Sequence, residues 1–306
     1  MRKGKRLIAW IMAVVMLFTI CVFGGNRTAE AAATTPVAKH GRLSVKGADL
    51  VDSKGNKFQL RGISTHGINW DVGSPYVNKK AFKTLRDDWG VNAIRLAMYT
   101  EEYNGYCSGG SQAKLRKLVD KGVGYATDLG MYAIIDWHIL SDGNPNKNKS
   151  QAKKFFTTMA KKYKNNKNVI YEICNEPNGC SWKEIKSYAT DIIKTIRKYD
   201  KKAVIIVGTP TWSQLGTDGT SNEVADSPIK GYKNIMYSLH FYASEWAHNE
   251  YLPAKVAYAR KKKLPIIVSE FGLSPASGDG AINKASADKW MKLLNKYNIS
   301  YFCWSL

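Results

Sequence analysis

Two glutamates stand at the ends of apolar segments that are typical of buried β-strands. Asn175 and then Glu176 follow the segment 168–174, and Glu270 directly follows the segment 265–269. One carboxylic acid that protonates a leaving oxygen and one carboxylate at the neighbouring carbon are what cleavage of a glycosidic bond requires. Each glutamate alone could instead cap a helix or pair with an arginine. The two together predict paired acid and base chemistry.

Other polar and aromatic side chains lie within the apolar segments or directly follow them. They are His66, Trp70, Arg95, Tyr99, Asp136, His138, Asn175, Trp212, His240, Tyr242 and Trp304. Such groups beside core strands would be costly without a purpose. Trp70, Trp212 and Trp304 fall in or just before loops, where an indole can stack on the apolar face of a sugar ring. Trp89 and Trp290 lie on apolar helix faces and are predicted to pack in the core.

Two other chemistries compete for these residues. His66, His138 and His240 could bind a metal together with Asp136, but the sequence has no closely spaced His-x-x-x-His or Cys-x-x-Cys pair. A serine hydrolase would need a Gly-x-Ser-x-Gly turn, which is also missing from the sequence. We therefore predict no catalytic metal and no cofactor.

The elements that position these residues form a repeating pattern. Apolar runs rich in β-branched residues occur near residues 60–64, 92–98, 131–137, 168–174, 203–208, 234–240, 265–269 and 299–303. Most gaps between them show helical periodicity. Eight strands that alternate with helices predict a (β/α)8 barrel, whose chemistry lies at the C-terminal ends of the strands. An open doubly wound sheet is the alternative, but no Gly-rich phosphate loop follows the first strand.

Local signals place several of the other elements. Residues 42–59 are predicted to form a hairpin with its turn at Asp52-Ser53-Lys54-Gly55-Asn56. One helix is predicted to end at Gly90. Ser150 and Ser181 are predicted to cap two others, and Ser181 forms a capping box with Glu184. The segment 209–233 is interpreted mostly as a loop.

Composition excludes several classes of protein. The chain has 306 residues, of which 44% are hydrophobic, and this rules out a disordered chain. Lys and Arg total 46 against 25 Asp and Glu, a net charge of +21. The basic residues are scattered over polar helix faces, which favours a solvated surface over a nucleic-acid partner.

The N-terminus is typical of a secretory signal. Arg2, Lys3, Lys5 and Arg6 precede an apolar run at 7–23, and Ala29-Glu30-Ala31 offers a cleavage site. A second cleavage site at Ala31-Ala32-Ala33 and an uncleaved membrane anchor are the alternatives. We predict a signal peptide at 1–31, a short linker at 32–41, and a catalytic barrel at 42–306 that is extracellular and monomeric. Cys107, Cys174, Cys180 and Cys303 would remain, and buried free thiols are expected.

The motifs resemble those of glycoside hydrolase family five, and among its members those of bacterial secreted endo-β-1,4-glucanases. The resemblance rests on Ile173-Cys174-Asn175-Glu176-Pro177 and Val268-Ser269-Glu270-Phe271-Gly272. It extends to Arg61-Gly62-Ile63-Ser64-Thr65-His66-Gly67, Arg95-Leu96-Ala97-Met98-Tyr99, Asp136-Trp137-His138, His240-Phe241-Tyr242 and Phe302-Cys303-Trp304-Ser305. It covers the chain from about residue 37 to its last residue.

The resemblance implies retention of anomeric configuration, with Glu176 as acid/base and Glu270 as nucleophile. It further implies the roles of the surrounding residues. Arg95 and Tyr242 contact Glu270, and His240 assists Glu176. Asn175 holds the sugar 2-hydroxyl, His66 and His138 contact the sugar, and Trp70, Trp212 and Trp304 are stacking platforms. Tyr99 is placed among the substrate-binding residues. We expect a carboxylate separation of ~5–5.5 Å, the value for retaining enzymes.

Some alternatives stay open at this point. The expected substrate is β-1,4-glucan, such as cellulose or carboxymethylcellulose. A mannanase or other β-glycanase, or a glycan-binding protein without hydrolysis, is the alternative. Relatives usually continue past the last tryptophan with a loop and a final helix, whereas this chain stops at Leu306. We therefore expect a truncated barrel, less stable than a complete relative because strands eight and one lack a covering helix.

Overall fold

A computed structural model describes residues 35–306, and these residues form a closed barrel of eight parallel strands. The strands are β1 Ser44–Lys46, β2 Asp49–Val51, β3 Arg61–Ser64, β4 Ala93–Tyr99, β5 Tyr132–His138, β6 Val169–Glu172, β7 Ile205–Val207, β8 Ile235–Tyr242, β9 Ile266–Gly272 and β10 Tyr301–Cys303. The barrel order is β3 to β10 in sequence, and it closes because β10 pairs with both β9 and β3. The predicted (β/α)8 fold is confirmed.

Helices fill most of the connections between the barrel strands. They are α1 Pro36–His40, α2 Lys79–Trp89, α3 Gln112–Asp128, α4 Lys149–Tyr163, α5 Trp182–Arg197, α6 Pro210–Ser213, α7 Glu223–Asp226, α8 Trp246–Lys261 and α9 Lys284–Tyr297, with a 3-10 turn at Ser74–Tyr76. Helix α1 lies within the predicted linker 32–41. The predicted signal peptide at 1–31 lies outside the described residues. Among residues 35–306, none of the helices has the length and apolar character that a membrane span requires.

The small hairpin is present, but its tight turn differs from the prediction. Strands β1 and β2 connect through Gly47 and Ala48. The predicted turn at 52–56 is a second turn, which brings Val51 into a single antiparallel bridge with Lys57. Asp52 stabilises this turn by accepting hydrogen bonds from the backbone of Lys54 and Asn56. Two turns follow one another because Gly47, at φ 61°, supplies a left-handed position that the sequence pattern did not single out.

Alternation along the strands separates the inside of the barrel from its helix-facing side. On β5, Tyr132 and Ile134 belong to an apolar cluster inside the lower half of the barrel, while Ala133, Ile135 and Trp137 pack in the helix-facing core. Asp136 and His138 continue the inward face toward the C-terminal end, since side chains two apart share a face. In each long strand, the inward-facing side chains are therefore apolar near the start of the strand and polar near its end.

Helix boundaries follow the local signals with one correction, at Ser150. Gly90 ends α2 in a left-handed conformation, and the capping box of Ser181 with Glu184 is present. Asn148 rather than Ser150 is the N-cap of α4. The 209–233 segment holds the short helices α6 and α7.

The predicted packing of the two helix tryptophans was right for one of them. Trp290 is buried at 3% exposure, as predicted. Trp89 is 71% exposed, so its predicted core position was wrong. It is the last residue of α2, beyond the buried Phe82 and Leu85, and the helix ends there at the lower rim of the barrel.

Cys107, Cys174, Cys180 and Cys303 are free thiols, as expected. Cys174 is fully buried, and the other three are only partly buried.

Candidate active site

A cleft of about 580 Å³ lies at the C-terminal ends of the barrel strands. The predicted site residues that line it are His66, Trp70, Tyr99, His138, Glu176, Trp212, His240, Tyr242, Glu270 and Trp304. The remaining two, Arg95 and Asn175, lie fully buried beside these residues. The loops and strand ends thus bring all twelve predicted side chains to one place.

The two glutamates face each other across this cleft. One carboxylate oxygen of Glu176, one of Glu270 and a ring nitrogen of His240 lie within 4.8 Å of one another. Nearest oxygens no more than 4.8 Å apart fit the ~5–5.5 Å carboxyl separation of retaining enzymes better than the ~6.5–9.5 Å that leaves room for a water in inverting enzymes. Three such ligand atoms are also within reach of one cation. The Arg95 guanidinium bonded to Glu270 opposes the binding of a second positive charge there.

Arg95 organises the buried layer beneath the cleft. Its Nε donates to Glu172 at 2.7 Å, and its Nη1 donates to Glu270 at 3.0 Å. Its Nη2 donates to Asn175 Oδ1 at 2.5 Å and lies 3.1 Å from Asp136. Burial alone would lower the pKa of Arg95, but the three carboxylates raise it and keep the guanidinium charged. One cation therefore orients four acceptors at the barrel mouth.

Glu270 is held by two donors, one on each carboxylate oxygen. Arg95 reaches Oε2, and the Tyr242 hydroxyl donates to Oε1 at 2.7 Å. A bulge in β9 turns this side chain inward. Ile267 pairs with Ser238, and Glu270 pairs with His240. The distance that β8 covers in two residues therefore takes three residues on β9. An extra residue of this kind commonly re-aims a side chain beside an active site.

Glu176 has a different environment, because its carboxyl is largely removed from water. Its side chain is 12% exposed, and His240 Nδ1 lies 2.7 Å from Oε1. Burial raises the pKa of Glu176 to about 8. Burial also lowers the pKa of His240 to about 4, which makes this histidine neutral. His240 Nε2 in turn contacts Ser269 Oγ at 2.9 Å, so the imidazole is fixed on both sides.

A second histidine is fixed against the floor of the site. His138 Nδ1 lies 2.6 Å from Asp136 Oδ2, and its Nε2 lies 3.2 Å from the Asn175 amide nitrogen. Asn175 also donates to the carbonyl of Ile139 at 3.1 Å. Burial raises the pKa of Asp136 to about 7, against the influence of Arg95. Asn175 is thus held rigidly next to Glu176.

The three predicted tryptophan platforms are supported in three ways. The Trp70 ring stacks on Tyr99 with centroids 4.5 Å apart, and Trp304 stacks on His138 at 5.1 Å. Trp212 is 44% exposed and sits in a turn where Thr211, Trp212 and Ser213 all have φ between 51° and 63°. Left-handed residues in sequence are costly, so contacts must hold this turn. Ser213 Oγ donates to the carbonyl of Asn175 at 2.6 Å and provides one.

Several site residues were missed from the sequence. Glu172 is fully buried and binds Arg95, and Gln214, Glu245, His248, Leu140, Ala276 and Ser277 also line the cleft. A sequence signal for Glu172 was available, because a charged residue inside an apolar run needs a partner of opposite charge. Arg95, inside another apolar run, is such a partner. The loop residues carry no comparable signal, since only the folded loops bring them to the cleft.

Opposed carboxylates at the mouth of a (β/α)8 barrel define a glycoside hydrolase site. The sequence profile of the cellulases, glycosyl hydrolase family 5, matches residues 51–306, and the chain belongs to this family.

Named relatives agree with this assignment. The chain is 48% identical over 307 residues to an endoglucanase of Clostridium saccharobutylicum. This alignment covers 99% of this chain and 64% of that protein. It is 47% identical over 271 residues to endoglucanase A of Butyrivibrio fibrisolvens. This second alignment covers 87% of this chain and 60% of that protein. The chain thus spans less than two thirds of the length of these relatives.

Among solved structures, the chain is similar to the catalytic domain of Thermobifida fusca endoglucanase Cel5A in complex with cellotetraose. The TM-score is 0.79 at 38% identity, with 89% of this chain and 87% of that chain covered.

Proposed function

We propose that this chain hydrolyses internal β-1,4 bonds of glucan with retention of anomeric configuration. The observation that carries the proposal is the glutamate pair, whose carboxylate oxygens approach within 4.8 Å in unlike environments. Glu176 is buried beside a neutral histidine, whereas Glu270 faces a guanidinium and a phenol. The relatives named endoglucanases, and the similar structure that holds cellotetraose, support glucan as the substrate.

In the first step, Glu270 attacks the anomeric carbon while Glu176 protonates the glycosidic oxygen. The bond from that carbon to the leaving oxygen breaks, and the leaving chain departs as an alcohol. The product is a covalent glycosyl ester on Glu270. The pKa of about 8 suits Glu176 to this step, because the group is protonated at neutral pH.

In the second step, Glu176 acts as a base. Its carboxylate takes a proton from a water molecule, whose oxygen attacks the anomeric carbon and displaces Glu270. Two displacements on the same carbon restore the original configuration. Glu270 returns to its hydrogen bonds with Arg95 and Tyr242, and Glu176 is protonated again.

The remaining side chains bind and orient the sugar. Asn175 is positioned for the 2-hydroxyl, since Arg95 and Ile139 hold its amide. His66, His138 and Tyr99 contact the sugar at the cleaved bond, and Trp70, Trp212 and Trp304 stack on its neighbours. We further propose that the N-terminal segment directs export and that the enzyme works outside the cell as a monomer.

Azide rescue with an activated aryl β-cellobioside assigns the two glutamates. Glu270→Ala and Glu176→Ala should each lose activity by ~10³-fold or more. Azide should restore the Glu176→Ala variant with a β-glycosyl azide as product, because it replaces water on the glycosyl ester. It should restore Glu270→Ala with an α-glycosyl azide, because it replaces the nucleophile. Glu250→Ala, at an exposed glutamate, is the control and should behave as the parent. Interchanged products would reverse the roles.

The substrate is tested on carboxymethylcellulose and a soluble mannan at equal mass. Faster release of reducing ends from the glucan, with β-anomers in proton NMR of early products, is the expected result. Faster mannan cleavage would make the chain a mannanase. Binding to glucan without product release would make it a glycan-binding protein.

A further inference from the structure

An exposed aromatic pair lies at the start of α8. Trp246 is the first residue of this helix and is 68% exposed, and Tyr251 is 38% exposed. Their rings meet edge to face, with centroids 5.8 Å apart. Large exposed apolar surface next to a binding cleft commonly marks part of the binding site. None of the steps of the proposed reaction uses this pair.

The pair lies next to residues that line the cleft. Glu245 and His248 line the cleft on either side of Trp246 in sequence. Glu245 N donates to the carbonyl of Tyr242 at 3.0 Å, and Tyr242 N donates to His248 Nδ1 at 2.9 Å. The first turn of α8 is therefore fixed to the strand end that carries the tyrosine bonded to Glu270.

Hydrogen bonds connect the same helix to the loop that carries Trp212. The buried Lys255 donates to the carbonyl of Gln214 at 3.1 Å and to that of Asp218. The side-chain amide of Gln214 contacts His248 Nε2 at 3.1 Å. Tyr251 packs on the backbone at Gly219, where a Cβ atom would lie 2.9 Å from the ring. Trp212 and Trp246 thus belong to one pre-organised edge of the cleft.

The direction of the glucan chain follows from the position of the acid. The backbone N–H of Trp212 donates to the carbonyl of Pro177 at 3.1 Å, directly after Glu176. Since Glu176 is the proposed proton donor to the leaving oxygen, we place Trp212 on the side of the leaving chain. We propose that Trp246, supported by Tyr251, is a stacking platform for a glucose unit beyond Trp212 on this leaving side. The proposal rests on the proposed glucanase function and specifies a preference for long chains.

Kinetics on substrates of different length test the platform. Trp246→Ala should lower kcat/KM on carboxymethylcellulose roughly 5- to 10-fold, because one stacked ring is lost. It should leave an aryl β-cellobioside unaffected, since a short leaving group does not reach the platform. Trp246→Phe should recover most of the loss. Trp89→Ala is the matched control, since Trp89 is equally exposed at the opposite end of the barrel, and it should change neither rate.

Equal effects of Trp246→Ala on both substrates, or none on the polymer, would overturn the platform while leaving the glucanase function in place. A parent enzyme inactive on every glucan would instead overturn the proposed function. Binding in the inactive Glu270→Gln background provides a second readout. Affinity electrophoresis in hydroxyethylcellulose should show weaker retardation when Trp246→Ala is added. A change in sedimentation coefficient without a change in retardation would mark the pair as a contact between copies and would contradict the proposal.

Discussion

The two ends of the barrel interior are built from the same strands but hold opposite chemistry. The lower end is filled by apolar side chains, among them Leu50, Tyr132 and Phe302, and the small hairpin closes it. The upper end buries Arg95 with Asp136, Glu172 and Glu270, all at 5% side-chain exposure or less. One end gains free energy from apolar burial, whereas the other spends it on removing charges from water.

This difference indicates how the fold stays stable although its upper end buries charged side chains. Unpaired buried charges are among the largest destabilising features of a protein, and one arginine serves three carboxylates here. Asp136 and Glu172 each leave one buried oxygen without a hydrogen-bond partner. The apolar lower end and the helix-facing core must supply the stability that this layer lacks.

Removal of the cation should have the largest effect on the upper end. Arg95→Met keeps much of the side-chain length but leaves three buried carboxyls without their partner. We expect a loss of about 3–5 kcal/mol in the free energy of unfolding at pH 8. The activity should fall by about 10²- to 10³-fold, because Glu270 loses a donor. Urea unfolding and initial rates on an aryl cellobioside measure both.

The stability loss in Arg95→Met should shrink at pH 5, because burial raises the pKa of Asp136 and of Glu172 and these two carboxyls can protonate there. Arg61→Met, at an exposed arginine of β3, is the control and should lie within about 0.5 kcal/mol of the parent. An equal loss at both pH values would show that packing rather than charge is responsible.

A substitution at the lower end should separate stability from activity. Leu50→Ala removes a side chain that is 2% exposed in the lower cluster. We expect a loss of about 2–4 kcal/mol in the free energy of unfolding, from lost burial and a cavity. The kcat of the folded enzyme should stay within about twofold of the parent, because the cleft is at the other end. Val72→Ala, at a 68% exposed residue, is the matched control. A large fall in kcat would mean that the two ends are coupled.

The smallest expected effect concerns pH. Burial raises the pKa of Glu176 from its ordinary value of 4.5 to about 8, so the folded state holds a proton that the unfolded state releases. The stability from this group is fully present below about pH 4.5 and is lost as pH rises through about 8. Glu176→Gln should therefore reduce the slope of unfolding free energy against pH by about 1 kcal/mol per pH unit in this window. Thermal or urea unfolding from pH 5 to 8 measures it.

Glu184→Gln is the control of opposite sign for that experiment. Hydrogen bonds from the Ser181 backbone and side chain lower the pKa of Glu184, so its contribution is lost as pH falls instead. Its slope between pH 5 and 8 should equal that of the parent. An unchanged slope in Glu176→Gln would contradict a buried, protonated acid.

The strand count, the helix positions and the twelve proposed site residues could be predicted because each has a local cause. Apolar runs repeat at nearly constant spacing, and parallel strands of a barrel deliver their ends to one mouth. Trp89 was placed wrongly because periodicity identifies a face but not the point where the covering elements stop. Gln214, Glu245 and His248 were missed because tertiary contacts alone bring their loops to the cleft.

The inward direction of Glu270 shows another limit of local reasoning. Strict alternation from Ile267 would give Ser269 the inward position and point Glu270 toward the helices. The extra residue in β9 lets Glu270 face inward as well as Ser269, whose hydroxyl contacts His240, and both neighbouring strands show the shift. A bulge is a property of pairing between strands, so the residues of β9 alone do not reveal it.

The left-handed turn at Thr211–Ser213 has a consequence for how this cleft can change. The turn persists because Ser213 and Trp212 bond to the carbonyls of Asn175 and Pro177, on either side of the acid. The proposed platform and the proposed proton donor are therefore structurally coupled. A mutation that relaxes the turn to suit a differently shaped sugar is expected also to shift Glu176 relative to the bond that we propose it protonates. New substrate preferences are for this reason expected at the opposite wall, where Trp70 and Trp304 stack on Tyr99 and His138, rings with no proposed role in proton transfer.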